Sequence, residues 1–415
     1  MIRNKGNNIR ILLVAFSNSI HTARWINQLS GQGWDIHLFP SVDVIWEVGK
    51  HLKNVNLYHS FYSSSLSGKP LECDQSVKMH GMPVICPYLS RYLAYGGRAL
   101  FHLKWKGYQA HRLARLIKKL QPDVIHSLEI QGAGYLVSDV KKYYRGQFPP
   151  WLVTNWGSDI YLFGRLDGHV DKIKDVLSAC DYYSCECQRD VHLARQMGFG
   201  GEVLPVMPNT GGFDLERVAE LRQPGLTSAR RTILLKGYQG WVGRALVGLR
   251  AIALCADELK EYKIVIYLAD NDVKIAAELL SKTSGLEIET VPLCSHDDML
   301  RLFGRARVYV GLNISDAIST SLLEAIVMGA FPIQSCTSCA DEWIVDGESG
   351  LIVPPEDPEP IVAAIHRAIN DDRLVDHAAE LNEGVARERL DQSLIRPRII
   401  EMYSNIVAKT HGKHR

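Results

Sequence analysis

The stretch VYVGLNISDAISTSLLEAIVMGAFPI, residues 308–333, decides the fold. Its opening, Val308 to Ile314, is an apolar run of strand length that stops in a short polar turn, Ser315 to Ser319. From Thr320 to Met328 the residues Leu322, Leu323, Ile326 and Val327 recur at the spacing of one helix face, where a strand would alternate. Ser319 or Thr320 can cap the start of that helix, Gly329 can close its end, and a second strand begins at Phe331. Strand, turn, helix and strand in this order is the repeating unit of a parallel sheet. The geometry aims the free N–H groups of the helix start at whatever lies above the sheet edge, and such a start is a ready anion site. Ser319, Thr320 and Ser321 are small enough to let a phosphate reach the backbone. Two carboxylates bracket the turn, Asp316 within it and Glu324 one turn into the helix. Alone, these features also fit a plain cap and a carboxylate complementing the helix dipole.

The rest of the chain favours the ligand reading, because the same pattern opens both halves. Arg10–Phe16 reads as a buried strand, His21–Leu29 as a helix and Asp35–Phe39 as the next strand. The turn between the first two, SNSIH, holds no glycine, so the G-x-G-x-x-G dinucleotide fingerprint is absent and an NAD or FAD site is disfavoured. Trp151–Trp156 is a further strand, and Asp159 follows at its carboxyl end, the edge where open α/β sheets place ligands. Pro205, Pro208, Asn209, Gly211 and Gly212 cluster where the first domain, residues 1–215, is expected to end. Residues 216–231 read as a linker. Thr232–Lys236 then restarts the pattern as a strand, with a helix expected over Ala245–Leu259 and a strand over Tyr262–Ala269. Between them lies Gly237-Tyr-Gln-Gly240-Trp-Val-Gly243-Arg244, a glycine-punctuated turn with a cation at each end. Lys236 and Arg244 can reach a diphosphate while the glycines admit close backbone approach. Ser295-His-Asp-Asp298 has the form of a capping box.

With 415 residues the chain is too long for one core, so two or three domains are expected. Hydrophobic residues make up 46% and charged residues 22%, ordinary values for a globular protein. A net charge of +1 gives no global field to hold nucleic acid. The N-terminus lacks the apolar core of a signal peptide, and no run approaches the ~18 apolar residues of a membrane span, so a cytosolic location is expected. Nine cysteines, an odd count, argue against a disulfide framework. Cys336 and Cys339 have no second pair at zinc-finger spacing, and no metal site is expected. Arg98–Leu120 reads as a basic helix carrying Arg98, Lys104, Lys106, Arg112, Arg115, Lys118 and Lys119. Phe101, Trp105 and Tyr108 are interleaved among them. Residues 98–119 therefore suit either a helix packed on the sheet or peripheral contact with anionic lipid at the inner face of the membrane.

Together these residues resemble the retaining GT-B glycosyltransferases of family 4. That family's acidic residue, seven-residue spacer and Glu stand here as Asp316-AISTSLL-Glu324, followed by AIVMGAFPI; the SHDDM stretch and Glu342–Val353 also match. The resemblance implies an α/β GT-B fold: two Rossmann-like domains facing across a cleft, the acceptor-binding one first. Residues 232–393 would form the nucleotide-sugar-binding domain, and a C-terminal helix, 394–415, would return to pack on the first. It implies that Glu324 binds the ribose hydroxyls, Asp316 faces the donor sugar, the Ser319 and Thr320 amides meet the diphosphate, and Lys236 and Arg244 neutralise it beside Gly237. The backbone near Leu293 would read the base.

Three departures stand out. Asp316 replaces the usual Glu, KGYQGWVGR replaces the usual G-R-x-x-x-x-K-G turn, and Trp156 replaces a His usual in the first domain. Asp159 and His21 are then the first-domain candidates, with Asn18 and His21 toward the acceptor. The implied activity is a hexosyltransferase. It would carry a hexose or N-acetylhexosamine from a UDP- or GDP-sugar to a glycan or lipid-linked acceptor, with retention and no metal or other cofactor, as in polysaccharide biosynthesis. A sugar-nucleotide epimerase or phosphorylase on the same fold, or an inactive partner subunit, are the alternatives.

Overall fold

A computed structural model describes residues 8–42, 51–63, 74–84 and 107–412. The chain divides into two compact units, one of Met1–Gly211 with Arg396–Arg415, the other of Gly212–Ile395.

The first unit is built on β1 (Arg10–Ala15), β2 (Asp35–Pro40), β3 (Asn56–Ser63), β4 (Lys78–Val84), β5 (Val124–Leu128), β6 (Trp151–Thr154), β7 (Tyr182–Ser184) and β8 (Glu202–Val203). They form one parallel sheet in the order β4-β3-β2-β1-β5-β6-β7-β8. Leu13 pairs with Leu38 on one side and His126 on the other. Its helices are α1 (Ile20–Gln28), α2 (Tyr108–Leu120), α3 (Tyr135–Tyr143), α4 (Asp167–Ala179) and α5 (Gln188–Gln196). The inner strands are buried because helices cover both faces, so Ile11 to Ala15 and Trp151 to Val153 are fully enclosed, as are His126 and Ser127 of β5. Strand order reverses direction between β1 and β5, which opens a crevice at their carboxyl ends.

Of the basic helix, only residues 107–120 are described; Arg98, Phe101, Lys104, Trp105 and Lys106 lie outside the described residues. Arg112 turns to the sheet, with its guanidinium bonded to the Ser60 hydroxyl and lying over the Phe39 ring, whereas Arg115, Lys118 and Lys119 are exposed. No helix of the described residues is long and apolar enough to cross a membrane.

The second unit carries α6 (Leu215–Leu221), β9 (Thr232–Lys236), α7 (Ala245–Leu254), β10 (Lys263–Tyr267), α8 (Asn271–Ser284), β11 (Glu287–Thr290) and α9 (His296–Arg305). After these come β12 (Val308–Gly311), α10 (Thr320–Met328), β13 (Phe331–Ser335), β14 (Leu351–Val353), α11 (Pro358–Asn370) and α12 (Asp372–Arg389). Its sheet is parallel, in the order β11-β10-β9-β12-β13-β14. The stretch that opened the sequence reading is thus β12, α10 and β13 at the centre of this unit. Every residue from Ser321 to Met328 is buried, as expected of a helix enclosed on all sides.

The segment expected to link the halves does not. Residues 216–231 lie inside the second unit, and the boundary falls at Gly211 and Gly212. Leu215–Leu221 is helical, capped by Asp214. Thr227 donates its hydroxyl to the Gly329 carbonyl (2.7 Å), and the buried Arg230 donates to the carbonyls of Ala306, Met328 and Gly329. Proline and glycine there shape a packed loop. The helix expected to reach Leu259 stops at Leu254, where Cys255 closes it with its N–H on Ala251 and Ile252.

The last helix, α13 (Gln392–Gly412), gives most of its length to the first unit. There Tyr403 is fully buried. Trp25 donates its indole N–H to the Tyr403 hydroxyl (2.8 Å), which lies 2.6 Å from His126 Nδ1, and His126 Nε2 lies 2.7 Å from Thr154 Oγ1. Trp25 can only donate, so the Tyr403 proton is free for Nδ1, and Nε2–H then donates to Thr154. This directed chain fixes the end of β6.

Candidate active site

β9 and β12 are neighbours at the point where the second sheet reverses direction, so the loops leaving their carboxyl ends meet. The turn after β9 is bound to the segment after β12. Gly243 bridges Asn313, Ile314 donates to the Val242 carbonyl (2.8 Å), and Arg244 N–H donates to the Leu312 carbonyl (2.9 Å). From the other side Asp270 accepts the N–H groups of Gln239 (2.8 Å) and Gly240 (3.0 Å), bonds that hold its carboxyl below the usual range. Gln239 Oε1 accepts the Leu246 N–H at the start of α7 (3.0 Å). Space decides two of the glycines. A Cβ at Gly237 would stand 2.6 Å from Ala269 Cα, and one at Gly243 only 1.9 Å from the Tyr238 carbonyl oxygen. Gly243→Ala is therefore expected to cost about 3 kcal/mol, read by urea melts. An unchanged melt would show that the turn can relax.

Lys236, the last residue of β9, is half-buried and makes no ion pair among the described residues. Arg244 stands at the start of α7. Its Nε is 3.0 Å from Glu356 Oε1 and its Nη1 donates to the Gly243 carbonyl (2.8 Å). Glu356 is 67% exposed, so this is a weak ion pair that a polyanion can displace.

After β12, Asp316 is half-buried and fixed by its own turn. Its Oδ1 accepts the Ala317 N–H (3.0 Å) and its Oδ2 accepts from Asn313 Nδ2 (3.3 Å). The Tyr238 phenol is raised by burial and by the charges of Asp270 and Asp316, which it lies beside. Ser319 is the N-cap residue of α10 by backbone conformation, but its buried hydroxyl makes no capping bond, contrary to the side-chain cap expected. The N–H groups of Thr320 and Ser321 have no partner among the described residues, and Thr320 itself is half-buried. Glu324 is 6% exposed, with Oε1 3.1 Å from His296 Nε2. His296 begins α9 after a Ser295 cap, whose hydroxyl accepts the Asp298 N–H (3.2 Å) and donates to the Asp298 carboxylate (2.6 Å). The first bond is the forward half of the expected capping box, and the carboxylate meets the serine hydroxyl in place of its backbone N–H. Leu293, on the loop before it, is exposed.

In the first unit the crevice beside β1 collects Asn18, exposed, and His21, half-buried with its ring edge against Trp156 (5.7 Å between centroids). Asp159, expected to present its carboxylate to a ligand, is buried instead. Its Oδ2 accepts the N–H groups of Ile130 (2.8 Å) and Trp156 (2.9 Å), bracing the turn after β6 to the one after β5. Glu129 was missed by the sequence reading. It follows β5 at φ 85°, ψ 154°, a conformation normally left to glycine. Its carboxylate accepts the N–H groups of Gly132 (2.6 Å) and Ala133, and a Cβ at Gly132 would lie 2.7 Å from Oε1. Burial raises its pKa to about 7; burial and the Glu129 charge raise that of Asp159. An acid between a strand and the Gly-Ala-Gly of residues 132–134 was the one available signal.

Residues 248–385 match the family described as glycosyl transferases group 1, and residues 10–67 and 98–179 match the one described as glycosyl transferase 4-like. No curated protein matches the chain in sequence. Among solved structures, a sucrose-phosphate synthase from Thermosynechococcus elongatus is similar with a TM-score of 0.64 at 16% identity, over 97% of this chain and 100% of that one. A glycosyltransferase from Rickettsia africae gives 0.64 at 16%, over 97% and 99%. HepE of Anabaena in complex with UDP and glucose gives 0.65 at 13%, over 96% and 100%. At such identities the likeness establishes the fold, two Rossmann-like domains of the GT-B type.

Proposed function

The chain is a group 1 glycosyl transferase, and from that premise we propose that it moves a hexose or N-acetylhexosamine from a nucleoside-diphosphate sugar to a hydroxyl of a glycan or lipid-linked acceptor, retaining the anomeric configuration without a metal. The observation that carries this reading is the second sheet's reversal point, where the amides of Thr320 and Ser321, without a partner among the described residues, adjoin the half-buried Lys236 and the displaceable Arg244. Glu324, Asp316 and the loop at Leu293 take the ribose, the donor sugar and the base. Asn18 and His21 of the first unit take the acceptor, with Asp159 bracing the turn that carries Trp156. HepE's complex with UDP and glucose makes a uracil nucleotide the first to try.

Departure of the diphosphate leaves positive charge on the sugar ring and negative charge on the β-phosphate. Preorganised amides and cations stabilise that negative charge without reorganising as it forms, and two side-chain cations take the place a divalent metal would fill. The acceptor hydroxyl attacks from the face the diphosphate leaves and gives its proton to the departing phosphate, so configuration is kept. The test is product NMR after incubation with UDP- and GDP-sugars, with and without EDTA. The expected result is a product with the donor's anomeric configuration at an unchanged rate in chelator. An inverted product or a chelator-sensitive rate would each overturn its part of the proposal.

A further inference from the structure

Glu324 is buried, yet its two oxygens are treated differently. Oε1 is held by His296 Nε2 at 3.1 Å, and Oε2 has no hydrogen-bond partner among the described residues. His296 is itself fixed from behind, its ring stacked on the buried Phe213 at 6.4 Å and 22°. The phenols of Tyr267 and Tyr309, both buried, lie close enough for the Glu324 charge to help raise them. No Lys or Arg is paired with this carboxylate among the described residues. A buried carboxylate without a cation needs a hydrogen-bond donor to stay ionised. A Glu side chain also has three torsions to fix before it can receive a ligand.

We propose that His296 is the positioning residue of the nucleotide site: it holds Glu324 by Oε1, so that Oε2 is presented to the vicinal hydroxyls of a ribose. This rests on the reading of Glu324 as the ribose residue. The imidazole touches no reacting atom; its effect is to set the rotamer of Glu324 before the nucleotide arrives. That assigns a role to a side chain in the SHDD cap, whose serine and second aspartate fix the start of the helix.

The test is calorimetric titration of the whole chain with UDP, GDP and ADP, and with the 2′,3′-dideoxy form of whichever binds. Glu324→Ala is expected to weaken the ribonucleotide tenfold or more. His296→Ala should weaken it five- to tenfold, and His296→Gln, whose amide N–H can reach the same oxygen, should recover most of that loss. The double variant should bind no worse than Glu324→Ala alone. For the dideoxy nucleotide none of these changes should matter, which separates positioning from a general loosening of the fold. If Glu324→Ala leaves affinity intact, or the parent chain binds none of the three nucleotides, the ribose reading falls and this inference with it. If Glu324→Ala weakens only the ribonucleotide while His296→Ala leaves it unchanged or weakens the dideoxy form as much, the ribose reading stands and the role of His296 is refuted; equal loss of the dideoxy form in Glu324→Ala would overturn both.

Discussion

Lys236→Ala is expected to lower turnover by about 10²–10³-fold, the range found when one preorganised donor to a developing anion is removed. Arg244→Ala should lower it by at least about tenfold, and by less than Lys236→Ala. The order follows from the two environments. Lys236 is half-buried and makes no ion pair among the described residues, so its charge is available and poorly screened. Arg244 already faces Glu356 across 3.0 Å, so part of its field is cancelled and that contact must be given up when a diphosphate binds. Glu356→Gln should accordingly tighten nucleotide binding by a few-fold, about 1 kcal/mol or less for an exposed pair, and that gain should vanish in the Arg244→Ala background. The losses should fall in kcat more than in KM, because the charge being stabilised is larger in the transition state than in the bound donor. Steady-state kinetics on single and double variants read all of this. Near-normal turnover in Lys236→Ala would remove it from the site.

The candidate residues of the second unit could be read because they sit in two contiguous segments. Lys236 and Arg244 lie on the segment that leaves the carboxyl end of β9, and Asp316, Thr320 and Glu324 on the one that leaves β12; a parallel sheet gathers such ends on one edge. What stayed hidden depended on space. The contact between His296 and Glu324 spans 28 residues and two helices, and no local spacing announces it. Glu129 holds the amides of Gly132 and Ala133 from a backbone conformation that residue identity alone does not disclose. Its neighbour Asp159 was placed at the right edge but with the wrong exposure, since only the fold shows that the amides of Ile130 and Trp156 consume one of its oxygens. The misplaced linker has a similar cause. Gln223-Pro-Gly225 reads as punctuation, while the anchoring of Thr227, Ser228 and Arg230 on distant carbonyls and on Asp376 appears only in three dimensions. The basic helix was judged by composition, and Arg112 shows that a cation in such a run can face inward.

Acid should work against the fold at His126. Burial alone lowers its pKa from 6.5 to about 3, consistent with a ring whose two nitrogens are occupied by Tyr403 and Thr154. Between those values the unfolded chain carries a proton on His126 that the folded chain does not, so lowering the pH favours the unfolded state by up to about 1.4 kcal/mol per pH unit, about 5 kcal/mol across the window. Glu129 acts in the opposite sense. Its folded pKa of about 7 lies above the ordinary 4.5, so its contribution is fully present below 4.5 and is lost as the pH rises through 7. Asp159 and Asp190, raised by burial, have the same sign as Glu129. The net curve therefore mixes opposing terms, and differences between variants isolate each one. Urea denaturation from pH 7.5 to 3.5 should show His126→Gln at a constant offset from the parent above pH 6.5, then gaining on it steadily as the pH falls. Glu129→Gln, which removes the favourable protonation, should instead lose ground to the parent between pH 7 and 4.5, by about 3 kcal/mol. Parallel curves for His126→Gln would mean that this histidine takes up its proton inside the fold as readily as outside it, and that the directed chain from Trp25 to Thr154 does not set its state.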